Sequence, residues 1–369
     1  MEYPRQITVI QAAIILFSSI IGVGVLPLPL FAVRGADTGA PLVTLLGILL
    51  STVGLIFLAL LGMKYPGRSI VQYSEEIIGK WPARVMNLFL VLYAAQLTAI
   101  GSREFGEVVV TSVLQRTPIE VTVTVMLLLA ALSSRCDLTT FAYIHHLYFP
   151  LIIFPVILIV ALSLKNSHVL NLMPIWGNEP GGMLAAGVIV ATLFQAYIII
   201  TIVIPGMRRP DRALSASLWG MLMAGGLYLM IVIATVSVFG PEEIKNLLWP
   251  TLELAKTTSL PANVLERLDG AFLAVWVTAV FTSLFAFYYL TIRFLSQMFG
   301  LRDHKLFSII ILPYLFIIAM VPSSIVDMYQ KITQFGAWGM LITLVYPILL
   351  FFISLFRRKK GRKDNPSPL

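Results

Sequence analysis

Long apolar runs alternate with short polar interruptions along the chain, ten times over: about 8–33, 40–63, 83–113, 119–134, 141–163, 183–206, 213–239, 268–299, 307–322 and 335–356. Most reach the ~20 residues a helix needs to cross a bilayer; the fourth and ninth sit at the lower limit. The pattern predicts an all-α polytopic membrane protein, one transmembrane domain over 1–356 with ten spans. Ten spans divide into five plus five. An odd number per half inverts the second half relative to the first, so inverted repeats are expected over about 8–163 and 183–356, as in many secondary transporters.

The first run holds the sharpest interruption, Ile20-Ile21-Gly22-Val23-Gly24-Val25-Leu26-Pro27-Leu28-Pro29. Each glycine weakens a helix by about 1 kcal/mol relative to alanine, and each proline removes a backbone donor. Freed backbone groups at membrane depth are tolerated only where they are buried in protein or line a wet cavity. Two readings follow: a helix broken at mid-membrane to hold a small solute, or a glycine-lined helix contact with a proline kink. Under five-plus-five symmetry span 6 partners span 1 and is expected to be discontinuous too. Its polar interruption, Thr192-Leu193-Phe194-Gln195-Ala196-Tyr197, contains neither Gly nor Pro, and Gly187 and Pro205 lie nearer the ends. That break is expected from symmetry more than from residues.

Composition supports the membrane reading. Of 369 residues 58% are hydrophobic and 12% charged, with mean hydropathy +0.90, against about 25% charged in soluble domains. No cleavable signal is expected, because the short N-terminus runs into a span too long for a signal core. The net charge of +8 does not indicate nucleic acid, since basic residues gather at the ends of the runs. With both termini cytoplasmic the inner side carries 17 Lys and Arg and the outer side 7, with Arg103 and Arg293 inside spans; this favours that orientation. The basic stretch Arg357–Lys363, within a cytoplasmic tail 357–369, anchors the last span and can touch anionic lipid. Lys64–Arg84 is amphipathic and basic, which predicts a cytoplasmic interfacial helix. In the outer loop Phe239–Glu266, Pro241 is placed to start a short helix and Trp249 to mark the interface.

Few residues suggest chemistry. Arg103, Glu104 and Glu107 lie inside span 3; Arg103 and Glu107, four apart, share a face and can pair, as a functional element or a structural bridge. Phe281-Thr282-Ser283 places hydroxyls inside span 8, either lining a polar site or bonding their own helix. His145 and His146 open span 5 and read as interfacial. Single Cys136 forms no intramolecular disulfide, and no Cys/His cluster has zinc spacing. Without a hydrolase, nucleotide-binding or metalloprotease motif, neither enzyme activity nor a cofactor is expected.

In order and spacing the motifs resemble the B-subunit family of bacterial spore germinant receptors, within the amino acid–polyamine–organocation transporter superfamily. They are Gln6-Ile7-Thr8 with Gln11, IIGVGVLPLP, YPGRSIVQYSEEIIGKW, RTPIEV (Arg116–Val121), LNLMPIWGNEP, IPGMRRPDRA, LLWPTLELAK and LERLDGAFLAVW (Leu265–Trp276). The resemblance implies a LeuT-like fold in the inner membrane of dormant spores and assembly with an A subunit and a C-subunit lipoprotein. It implies a nutrient ligand, commonly an amino acid and sometimes a sugar, between broken helices 1 and 6. Carried over by position, that pocket falls on Gly22, Val23, Gly24 and Val25; Leu97 and Thr98; Phe194, Gln195 and Ala196; and Phe281, Thr282 and Ser283. Helix 1 amides would hold a carboxylate, and backbone carbonyls, Gln195 or Thr282 an ammonium. The rival reading is an ion-coupled amino-acid permease of the same fold, which would want an acid or lysine between helices 1 and 8.

Overall fold

A computed structural model describes residues 6–177, 180–257, 268–301 and 303–356; the basic tail and its proposed lipid contact lie outside them. All regular elements among the described residues are helical, apart from one isolated bridge between Ile7 and Met207. Thr8 starts the first helix through a reciprocal cap, its Oγ1 accepting from Gln11 N at 3.2 Å while Gln11 Oε1 accepts from Thr8 N at 2.9 Å. Helix α1 (Val9–Ile20) stops at the Gly/Pro motif, and α2 (Leu28–Ala36) resumes beyond it. Asp37, at φ +49°, turns the chain into α3 (Ala40–Lys64), and its carboxylate pairs with Lys245 at 2.6 Å. There follow α4 (Ile70–Ile78), α5 (Lys80–Ser112), α6 (Ile119–Ser133), α7 (Leu138–Ser163), α8 (Met183–Thr192) and α9 (Ile200–Val203). The chain ends with α10 (Ala213–Ile244), α11 (Pro250–Thr257), α12 (Leu268–Met298), α13 (Lys305–Ile310), α14 (Leu312–Ala319), α15 (Ile325–Met340) and α16 (Tyr346–Phe356).

Six helical stretches among the described residues are long and apolar enough to cross a membrane, and a seventh is the bent pair Met183–Thr192 and Gln195–Gly206. The runs expected as spans 1, 4 and 9 appear as shorter helices, Val9–Ile20, Ile119–Ser133 and Lys305–Ala319. For span 1 the cause is the glycine/proline break; for the other two the apolar run is itself short.

Helix α1 is the axis of the bundle. Every residue from Ala12 to Ile20 is buried, and α10, α7 and α12 pack around it. Gly220 permits the closest of these approaches, because a Cβ there would stand 2.7 Å from the Ala13 carbonyl oxygen. At the periphery Leu92, Phe154, Trp219 and Trp338 point outward, the apolar exterior that a lipid solvent requires.

Two loop expectations need correcting. Helix α4 turns its apolar face to the bundle rather than to lipid: Ile70, Val71, Tyr73 and Ile77 are buried, α4 packs on α5 and α16, and Asn87 Nδ2 donates to Val71 O at 3.0 Å. Trp249 is buried, with Nε1 3.4 Å from Thr111 Oγ1, so it anchors the outer segment to α5 instead of marking the lipid boundary. Gly240, at φ +73°, kinks α10, and Pro241 opens the last turn as expected.

The loop before α13 gives a test of the packing at this end of the bundle. His304 Nε2 lies 3.2 Å from Ser134 O and 3.1 Å from Cys136 O, a geometry that uses the neutral ring as donor. Burial, then the nearby Arg293, hold this imidazole down from its ordinary 6.5 to about 4. The unfolded chain therefore binds a proton that the fold rejects, so stability is full above 6.5 and declines as pH falls toward about 4. Melting of the purified protein followed from pH 7 to 4 is expected to show this decline, and His304→Gln to make it shallower.

Candidate functional site: a cavity between two interrupted helices

The first interruption is built by close approach. Ile21 N still donates to Phe17 O at 2.9 Å, and then the chain leaves the helix at Gly22. A Cβ at Gly22 would collide with Ser283 Oγ, so glycine is what lets α12 reach the break. A single turn, Val23–Val25, leads to Pro27 and into α2. Carbonyls freed by the break are taken up by two other helices. Tyr228 Oη of α10 donates to Ile20 O at 2.7 Å, and Thr251 Oγ1 of α11 donates to Val25 O at 2.7 Å. No backbone oxygen at these two positions is left to hydrocarbon.

The second interruption falls at Leu193 and Phe194, where the two halves bend by 46°. Side-chain bonds replace the missing Gly or Pro. Gln195 Nε2 donates to Gly336 O on α15 at 2.7 Å, and Gln195 Oε1 accepts from Tyr93 Oη on α5. Gly339 allows this contact, because a Cβ there would collide with Gln195 Oε1. Phe194 sets its ring edge-on against Tyr228, centroids 5.1 Å apart.

A cavity of about 90 Å³ lies between the two breaks. At ~30 Å³ per water molecule it has room for roughly three, the scale of a small solute. Of the pocket residues expected from the resemblance, Val23, Gly24, Leu97, Gln195, Ala196 and Ser283 line it. The other six lie behind that wall. Gly22 packs on Ser283, Thr98 Oγ1 donates to Ala94 O at 2.9 Å, and Thr282 Oγ1 donates to Ala279 O at 2.9 Å. Phe194 meets Tyr228, Phe281 stacks on Phe285 at 5.9 Å, and Val25 is fixed by Thr251. Of the two side chains expected to receive an ammonium group, Thr282 does not line the cavity and Gln195 Oε1 already accepts from Tyr93 Oη.

Among the lining residues that position-by-position transfer missed, Glu104 is the acid. Arg103 and Glu107 pair at 2.8 Å, both buried, with Arg103 Nη1 3.6 Å from Met320 Sδ; neither lines the cavity. One residue beyond Arg103 is a 100° rotation on a helix, and that rotation carries Glu104 to the cavity. His145 is not interfacial. It is buried, its Nδ1 donates to Phe141 O at 2.9 Å, and its ring lies 4.3 Å from Phe141 and 5.5 Å from Phe285 by centroid. Among the described residues no group of His, Cys, Asp and Glu could hold a metal. A wider groove of about 550 Å³ opens on the lipid-facing side between α5 and α15, lined by Phe89, Leu92 and Trp338 and sharing Tyr93, Gln96 and Phe335 with the cavity.

Residues 6–328 match the family model described as spore germination protein. The chain belongs to the spore germination protein family. It is similar to spore germination protein YndE of Bacillus subtilis (strain 168), 25% identical over 97% of this chain and 98% of the relative. Spore germination protein B2 of the same organism is likewise 25% identical, over 97% and 98%. Spore germination protein GerLB of Bacillus cereus is 24% identical over 95% and 94%. The likeness thus runs through both interruptions in this spore germination membrane protein.

The Thr251 contact yields a prediction. Thr251→Val keeps the shape but leaves the Val25 carbonyl without its donor, which costs about 1–3 kcal/mol when a buried acceptor is orphaned. The variant is expected to melt earlier, and hydrogen exchange is expected to rise at Val23–Leu28 more than in α12. Unchanged exchange at the break would show that Thr251 does not hold it.

Proposed function

We propose that the chain is the nutrient-sensing membrane subunit of a spore germinant receptor, binding a small ligand, an amino acid in the first instance, in the cavity between its interrupted helices. The observation carrying this reading is a small-solute cavity walled by two broken helices in a spore germination family member. The proposal includes a LeuT-like bundle of ten spans in two inverted five-helix repeats. Support for inversion comes from the contact of the start of α1 with the end of helix 6, where Ile7 N donates to Gly206 O at 3.0 Å and Arg208 N donates to Ile7 O at 2.9 Å. Partner A and C subunits, cytoplasmic termini and the spore inner membrane belong to the same proposal, on the basis of the family.

Ligand binding drives a switch only through differential affinity for two arrangements of the bundle. Moving an equilibrium from 1:99 to 99:1 takes a factor of about 10⁴, or about 5.5 kcal/mol. The backbone of Gly22–Val25 faces a ligand carboxylate in this proposal, and the buried Arg103–Glu107 pair and the docked 64–84 segment relay the change to partners. The rival, an ion-coupled permease of the same fold, draws support from the acid that lines the cavity.

Binding and flux measured together on the full chain in liposomes separate the two. Saturable binding of a labelled amino acid without accumulation is expected of the receptor; accumulation driven by a proton or sodium gradient would make it a permease. Two glycine variants tie binding to this cavity. At Gly24 a Cβ meets Tyr228 Oη at 3.6 Å and Leu193 at 3.8 Å, which are ordinary contacts. Gly24→Ala is therefore expected to fold normally and to weaken ligand binding by narrowing the cavity. Gly22→Ala, which collides with Ser283, is expected to lose stability itself by about 1–3 kcal/mol.

A further inference from the structure

A carboxyl group borders the cavity, and among the described residues one of its oxygens has no hydrogen-bond donor. Glu104 is 3% exposed and lines the cavity with Val23, Gly24 and Ser283, and its Oε1 has no hydrogen-bond partner. The neighbouring Arg103 is turned to Glu107 at 2.8 Å and to Met320. Hydroxyls around the cavity are spent on other acceptors. Ser19 Oγ donates to Ile15 O at 2.7 Å, Thr192 Oγ1 to Ile189 O at 2.6 Å, Ser283 Oγ to Val280 O at 3.0 Å, and Tyr93 Oη to Gln195. Two further phenols in the electrostatic reach of Glu104 are spent as well: Tyr228 Oη donates to Ile20 O at 2.7 Å and Tyr329 Oη to Leu248 O at 2.9 Å.

A carboxylate removed from water is costly unless a cation pairs with it. We infer that the cavity is a site for a ligand bearing a primary ammonium group, with Glu104 as its counter-ion. The inference rests on the cavity being the ligand site and names the chemistry that site selects. Glu104 takes the role expected of Gln195, whose Oε1 already accepts from Tyr93 Oη, and of Thr282, which does not line the cavity. At about 90 Å³ the space suits a small amine, with an α-carboxylate reaching the Gly22–Val25 break. N-acylation removes the charge and adds bulk at the same point.

The test uses the full chain in lipid nanodiscs with labelled L-amino acids, their amides and their N-acetyl derivatives, on wild type, Glu104→Gln and Glu104→Asp. Free amines are expected to bind saturably and N-acetyl forms at least about tenfold more weakly, the scale of a lost charged hydrogen bond. Glu104→Gln is expected to lose at least about tenfold in affinity for the amine, and Glu104→Asp less. N-acetyl forms binding as tightly as amines, or Glu104→Gln binding with unchanged affinity, would overturn the counter-ion role while leaving the cavity as the ligand site. Unchanged affinity with loss of gradient-driven accumulation in liposomes would overturn it in favour of a proton site. No saturable binding of any compound by wild type would overturn the cavity reading and this inference together. Should Glu104→Gln not fold, the comparison of amine with N-acetyl ligand on wild type decides alone.

Discussion

Hydrocarbon offers no hydrogen bonds, so a helix interrupted inside a membrane must find partners for its freed backbone within the protein. That constraint organises this molecule. Two of the carbonyls released by the break, those of Ile20 and Val25, are received by Tyr228 and Thr251, on two helices more than two hundred residues away in sequence. For Tyr228 to arrive, α10 must run along α1, which Gly220 permits. For Thr251 to arrive, α11 must be held down, and its Leu252, Leu254 and Ala255 are buried beside Trp249. The outer segment is thus a structural part of the helix 1 break.

The same rule decides which polar side chains remain available for ligand. Serines and threonines at membrane depth mostly bond carbonyls three or four residues back, as Thr98, Thr282 and Ser283 do. Such a hydroxyl is structurally content and contributes little directed chemistry. Arg103 and Glu107 satisfy each other. What distinguishes Glu104 is that neither its own helix nor its neighbours complete it, and that it borders space rather than packed side chains.

The two interruptions were unequally legible in the sequence for a physical reason. The first is written in residues that disfavour helix locally, two glycines and two prolines, so any reader of the chain meets it. The second is held by Gln195 bonding to Tyr93 and Gly336, which lie 102 and 141 residues from it in sequence, and only folding brings them together. Burial likewise escaped local reading. Trp249, placed at the interface by its chemistry, and His145, placed there by its position, are both inside because Thr111 and the Phe141–Phe285 ring pair wait for them. Glu104 was hidden by its neighbours: the i,i+4 spacing of Arg103 and Glu107 draws attention to the paired face and away from the residue that turns toward the cavity. Apolar runs, by contrast, reported helices faithfully, and overstated only how many of them are long enough to cross on their own.

These observations bear on how a solute in so small a space can affect the whole bundle. Gln195, at the cavity wall, is bonded at once to α5 through Tyr93 and to α15 through Gly336. Tyr329, further along α15, holds the outer segment through Leu248 O, and that segment holds Val25 through Thr251. The cavity wall and the helix 1 break therefore belong to one network of hydrogen bonds linking Val25, the 248–251 segment, α15, Gln195 and α5, closed where Trp249 Nε1 meets Thr111 Oγ1 at 3.4 Å. A ligand that draws on Glu104 or on the Gly22–Val25 backbone acts on a circuit whose members cannot adjust singly without orphaning a buried group. Packed, fully bonded elements respond by exchanging one arrangement for another rather than by bending a little. In the proposed receptor, shared bonds in the cavity walls are what couple so small a space to the rest of the bundle.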